Sequence, residues 1–142
     1  MKKLTLLDII DLKPNTLNTL IGKTNSAKSL WLQNVSVEAA NTGQNVVYFS
    51  IEATDKKVLK RIEHVRNTLG IDNAYVGRVN IKFFNAGEAT FKDFSEHLYA
   101  LKESGFEPQL IVVDYITLMN TDGFEENYYL QSKNKAEQLV LL

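Results

Sequence analysis

The sequence contains no cysteine, which excludes a disulfide framework and any thiolate-held metal and suits a reducing compartment such as the cytoplasm. It has almost no net charge. Sixteen basic residues against 17 acidic ones leave −1, so no global basic field announces a nucleic acid. Long apolar runs are missing too, and none approaches the length of a membrane span. The opening Met1-Lys2-Lys3-Leu4 meets Asp8, Asp11 and Lys13 before the apolar core of a signal peptide is built, and it reads as mature sequence. There is no internal repeat and no low-complexity tract. The two histidines, His64 and His97, stand far apart without metal-ligand spacing and read as surface or helix-packing residues. What is present is 142 residues, 44% hydrophobic and 23% charged, the composition of one globular domain large enough to bury a core.

Apolar periodicity divides the chain into alternating strands and helices. Residues 4–12 make a short amphipathic opening, followed by a Lys13-Pro14-Asn15 turn. Residues 17–21 read as a first strand, buried if the sheet is central. A helix follows that is apolar on most sides (Leu30, Trp31, Leu32, Val35, Val37, Ala39, Ala40) and stops at Gly43. Residues 45–51, Asn-Val-Val-Tyr-Phe-Ser-Ile, are too continuously apolar for a half-solvated strand and predict a parallel strand covered on both faces. Thr54 or Asp55 caps a helix with the stripe Val58, Ile62, Val65, Leu69, ended by Gly70. A strand over 79–84 precedes a helix opened by the capping box Thr90-Phe91-Lys92-Asp93, with Phe91, Phe94, Leu98 and Leu101 on one face. A fourth strand covers 109–116, a polar loop 120–127, and a last helix 128–142. This alternation predicts an α/β fold with a mainly parallel sheet and right-handed crossovers.

The chemistry concentrates at 22–29, Gly22-Lys23-Thr24-Asn25-Ser26-Ala27-Lys28-Ser29, between the first strand and its helix. A phosphate-binding loop has the form Gly-x-x-x-x-Gly-Lys-Ser/Thr, and Ala27 replaces the second glycine. Backbone N–H groups of such a loop and the positive end of the helix form a concave anion site. Lys28 then reaches the β- and γ-phosphates and the Ser29 hydroxyl ligates Mg²⁺. The competing reading is a polar turn before an ordinary helix. Asp114 follows four apolar strand residues, and a carboxylate there is costly unless paired. Its partner is a Mg²⁺ ion in the nucleotide reading and a neighbouring loop in the plainer one. Glu52 ends the 45–51 strand on the edge where open α/β sheets bind ligands. It suits a base for the attacking water, or simply an acid before a helix N-terminus.

Four segments in order resemble the RecA-type motor domain of the DnaB family of hexameric replicative DNA helicases, most of all its phage members of the T4 type. They are Leu12 to Ser29, Asn45 to Arg61 with Phe49-Ser50-Ile51-Glu52, the 79–84 strand with its Thr90-capped helix, and Leu110 to Met119 with Val113-Asp114-Tyr115-Ile116-Thr117-Leu118-Met119. The resemblance spans nearly the whole chain. It implies a three-layer RecA-like P-loop NTPase core over 1–142, incomplete on its C-terminal side, with the phosphate loop at 22–29 and a magnesium-coordinating strand at 109–116. It implies ATP and Mg²⁺ as ligands, Lys28 on the β/γ-phosphates, Ser29 and Asp114 at magnesium, and Glu52 as catalytic base. Family members carry a polar sensor strand, DNA-binding loops and an arginine finger beyond the matched part, so this portion is expected to bind nucleotide with little turnover and to grip DNA weakly. A homo-hexamer and a cytoplasmic location (the host's, for a phage protein) are implied in the same way. The alternative is a non-catalytic RecA-like protein with a degenerate loop that docks on a helicase or recombinase subunit. A nucleotide kinase fits worse, having no place for the Phe-Ser-x-Glu strand.

Overall fold

The structure, a computed structural model, describes residues 5–72 and 78–119 together with positions 135, 137 and 139. Its regular elements are α1 (Leu6–Ile9), α2 (Lys28–Asn41), β1 (Val46–Ser50), α3 (Asp55–Leu69), β2 (Val79–Phe83), α4 (Phe91–Glu103) and β3 (Leu110–Asp114), followed by a 3₁₀ turn over Ile116–Leu118. The described strands form one parallel sheet in the order β2-β1-β3. In register, Tyr48 faces Val112 and Ser50 faces Asp114.

β1 is central and all five of its residues are buried, as its unbroken apolar run requires. Its alternate side chains serve two cores. Val46 and Tyr48 pack with Val37, Ala39 and Ala40 of α2, with Val58, Ile62 and Val65 of α3, and with Val112 of β3. Val47, Phe49 and Ile51 pack on the opposite face with Phe94 of α4, Ala89 and Met119. The result is helix on sheet on helix. The Phe49 and Phe94 rings stack at 4.1 Å between centroids within the second core.

Most helix boundaries follow their sequence signals. Thr90 caps α4 by accepting the Asp93 N–H while the Asp93 carboxylate takes the Thr90 N–H, the reciprocal box expected there. A second such box, Thr5 with Asp8, opens α1, and the Leu7 N–H then donates to Glu38 of α2 at 3.2 Å. Thr54 holds the N-cap position of α3 without a side-chain bond. Gly43 and Gly70 have φ of +96° and +68° after α2 and α3, a region glycine enters without steric cost.

The expected first strand does not form. Residues 17–21 carry no strand geometry, and Leu17, Leu20 and Ile21 are 47%, 38% and 88% exposed. The cause is local. Asn18 and Thr19 interrupt the apolar run, and the Thr16 hydroxyl donates to the Lys13 carbonyl at 2.6 Å while the Asn18 amide donates to Thr16. Such bonds offer this stretch an alternative to a sheet ladder. The 109–116 strand is also shorter than expected: the chain leaves the sheet after Asp114 and turns at Ile116. Positions 135, 137 and 139 are helical, in keeping with a last helix. The rest of that helix, with Tyr128 and Tyr129, and the 120–127 loop lie outside the described residues. Among the described residues no helix is long and apolar enough to cross a membrane.

Candidate functional site

The loop 22–27 is solvent-exposed throughout and leads straight into α2. Its shape depends on two residues. A Cβ added at Gly22 would lie 2.5 Å from Ser26 Oγ and 3.5 Å from the Lys28 side chain, so a larger residue would displace the Ser26 hydroxyl. Ala27, at the N-cap of α2, has φ 60° and ψ 25°, the left-handed region. The position therefore asks for the glycine that this sequence lacks, at a cost of about 1–2 kcal/mol. Asn25, also at positive φ (62°), is one of the few side chains that tolerate it.

No side chain caps α2. Its first N–H groups face the loop with the positive end of the helix dipole, the arrangement that attracts an anion. Lys28 bends back over the loop, and its ammonium donates to the Gly22 carbonyl at 2.8 Å and the Lys23 carbonyl at 2.7 Å. The cation is thus held against the exposed loop by two backbone carbonyls.

Ser29, the next residue of α2, faces the sheet. Its hydroxyl donates to Asp114 Oδ1 at 3.0 Å, joining residues 85 apart in sequence. Asp114 is 3% exposed at the end of β3, and its Oδ2 accepts the Tyr48 hydroxyl at 2.5 Å. Both carboxylate oxygens are therefore hydrogen-bonded, which offsets the burial of the charge. The Asp114–Tyr115 peptide is cis. Burial, then the Asp114 charge and hydrogen bond, push the Tyr48 pKa far above its ordinary value. Tyr48 is therefore a neutral donor at any working pH.

Glu52 lies just past β1, at the same carboxyl edge of the sheet. The N–H of the preceding Ile51 donates to the Asp114 carbonyl at 2.9 Å, which ties that turn to the end of β3. The Glu52 side chain is exposed and makes no hydrogen bond or ion pair among the described residues. Of the residues singled out from sequence, Ser29 and Asp114 are thus brought together by α2 and β3, Lys28 turns back onto the loop, and Glu52 lies past β1 without a bond to any of them.

Among the described residues no three acidic or imidazole side chains gather into a metal cluster. The Ser29 hydroxyl and the Asp114 carboxylate are hard oxygen donors at one point, however. They fit a magnesium ion that the serine oxygen would ligate, with the carboxylate beside it to take up hydrogen bonds from the ion's water. The open, uncapped loop fits the phosphates themselves.

Tyr48 and Gln33 were not singled out from sequence. Gln33 follows Ser29 by one helical turn and is fully buried, with neither amide atom hydrogen-bonded. A tyrosine in a buried strand, and an amide on an apolar helix face, are the signals that point to them, since each carries a polar group needing a partner.

No protein-family model matches the chain. Among curated proteins the chain is 28% identical, over 152 aligned positions, to the DnaB-like replicative helicase of Enterobacteria phage T4. The alignment covers 89% of this chain and 32% of that helicase, so the chain spans about a third of the length of the curated relative it matches. The similarity supports a relationship to replicative helicases.

Proposed function

We propose that this chain is the ATP-binding part of a replicative DNA helicase motor, built on a RecA-like P-loop NTPase core. The observation that carries the reading is the meeting of Ser29 and Asp114 beneath a loop that Lys28 closes. An α/β sheet of parallel strands with helices on both faces is compatible with such a core.

In this reading the N–H groups of residues 22–29 and the Lys28 ammonium bind the β- and γ-phosphates. Ser29 and Asp114 hold the magnesium ion, which when bound neutralises charge on the phosphate oxygens. Glu52, free at the same edge, orients the attacking water and takes its proton. DNA and neighbouring subunits of a homo-hexamer are the partners proposed for the complete motor, with weak DNA binding by this portion.

The test is a fluorescent-ATP titration with and without Mg²⁺, run beside Lys28→Ala. The expected result is magnesium-dependent binding that disappears in the variant. A folded protein that binds no nucleotide would overturn the reading. It would favour instead a non-catalytic RecA-like protein that docks on a helicase or recombinase, a reading to which the left-handed Ala27 lends weight.

A further inference from the structure

We infer that Tyr48 is a positioning residue that sets the Asp114 carboxylate for its cation. The inference rests on the reading of 22–29 as a magnesium–nucleotide site and assigns a role at that site to a residue of the core.

The two oxygens of Asp114 are held differently. Oδ2 is bonded to a tyrosine that is 0% exposed, wedged among α2, α3 and β3. Oδ1 is bonded to Ser29, a half-buried residue at the mouth of the loop. The first partner cannot leave without dismantling the core, whereas a serine hydroxyl turns by rotation about a single bond. One oxygen is therefore anchored and the other exchangeable, and the exchangeable one faces the loop.

Register explains how the anchor reaches. Tyr48 pairs with Val112, two residues before Asp114, and the two side chains share the sheet face that packs on α2 and α3. Two residues of strand rise span about 6.6 Å, a gap that a phenol bridges and a shorter hydroxyl side chain does not. Phenylalanine would fill the same volume, so the hydroxyl is not explained by packing. It is also costly to bury unless bonded, and Asp114 is its hydrogen-bond acceptor. Groups that orient a metal-binding carboxylate typically change metal affinity by about 10- to 100-fold when removed.

The test compares the full chain with Tyr48→Phe, Asp114→Asn and the double variant. The readout is the ratio of fluorescent-ATP affinities with and without Mg²⁺, with folding checked by circular dichroism and urea unfolding. Tyr48→Phe is expected to lower that ratio about 10-fold or more, and to lower it no further once Asp114 is already asparagine. An unchanged ratio in folded Tyr48→Phe would overturn the positioning role while leaving the nucleotide site standing. Equal losses with and without Mg²⁺ would overturn it in favour of a purely structural tyrosine. A parent chain whose nucleotide binding ignores Mg²⁺ would overturn the site reading and the positioning role together, and this shows before any variant is measured.

Discussion

Ser29 and Asp114 join the start of α2 to the end of β3 through a 3.0 Å hydrogen bond. The first N–H groups of α2 are uncapped by any side chain, so this bond is what ties the helix start to the sheet. The loop in front of it is thereby held to the rigid core even though residues 17–21 add no strand beside it.

Replacing Ala27 by glycine should stabilise the protein. The left-handed conformation at φ 60° costs alanine about 1–2 kcal/mol. Glycine returns some of that as extra unfolded-state entropy, about 0.4–1 kcal/mol. A net gain of roughly 1 kcal/mol in urea unfolding is expected, with tighter nucleotide binding. A loss of stability would mean that Ala27 is not left-handed in solution.

Thr90→Ala removes the hydroxyl side of the box that starts α4 and leaves the backbone N–H of residue 90 bonded to Asp93. The expected cost is about 1 kcal/mol. The Thr90 side-chain and backbone bonds hold the Asp93 carboxyl below its usual 3.8. A carboxylate depressed on folding contributes stability above 3.8 that is lost as pH falls through its folded value. Acid titration of stability should therefore be shallower below pH ~4 in the variant than in the parent.

His97 gives the opposite residue type and a higher window. Its Nε2 lies 2.9 Å from Asn80 Oδ1, and its ring meets the Phe49 edge. Burial, then the nearby Lys82 charge, lower its pKa below the usual 6.5. The unfolded chain thus takes up a proton that the folded chain refuses, so stability falls as pH drops below 6.5 toward the folded value. His97→Gln should flatten that stretch of the stability–pH curve. An unchanged slope would place the titration elsewhere.

Phe94→Ala tests the second core. Phe94 is fully buried and stacked on Phe49, with Phe84 at 5.4 Å. Removing it should cost about 3–5 kcal/mol by unfolding measurement, enough to threaten a domain of this size.

The elements from β1 to β3 were legible because their apolar spacing is strong. The unbroken 45–51 run could only be a doubly covered strand, and the Val58, Ile62, Val65 spacing has one helical solution. The Asp114 carboxylate was equally legible, since an acid in an apolar strand must be answered by something. Residues 17–21 misled because three apolar residues in five satisfy a strand pattern, while the Thr16 and Asn18 bonds that decide the outcome are local geometry. The conformation of Ala27 was open on sequence, since a helical and a left-handed residue have the same letter. Tyr48 stayed hidden for the reason that made its strand obvious: a run without alternation does not reveal which side chains share a face.

The two bonds from Lys28 to the carbonyls of Gly22 and Lys23 make the lysine a resident competitor for its own site. In the proposed nucleotide reading, a phosphate arriving at the loop would not recruit a cation from solvent; it would take one over from two oxygens already in place. Because those oxygens belong to exposed residues, water satisfies them as the ammonium departs, and the exchange is nearly balanced in hydrogen bonds. The apparent affinity for phosphate is then set by the charge of the newcomer relative to two neutral carbonyls. On that reading a doubly charged terminal phosphate would win the contest by more than a singly charged one, and ligands ending in a monoester phosphate are expected to bind better than internal diesters.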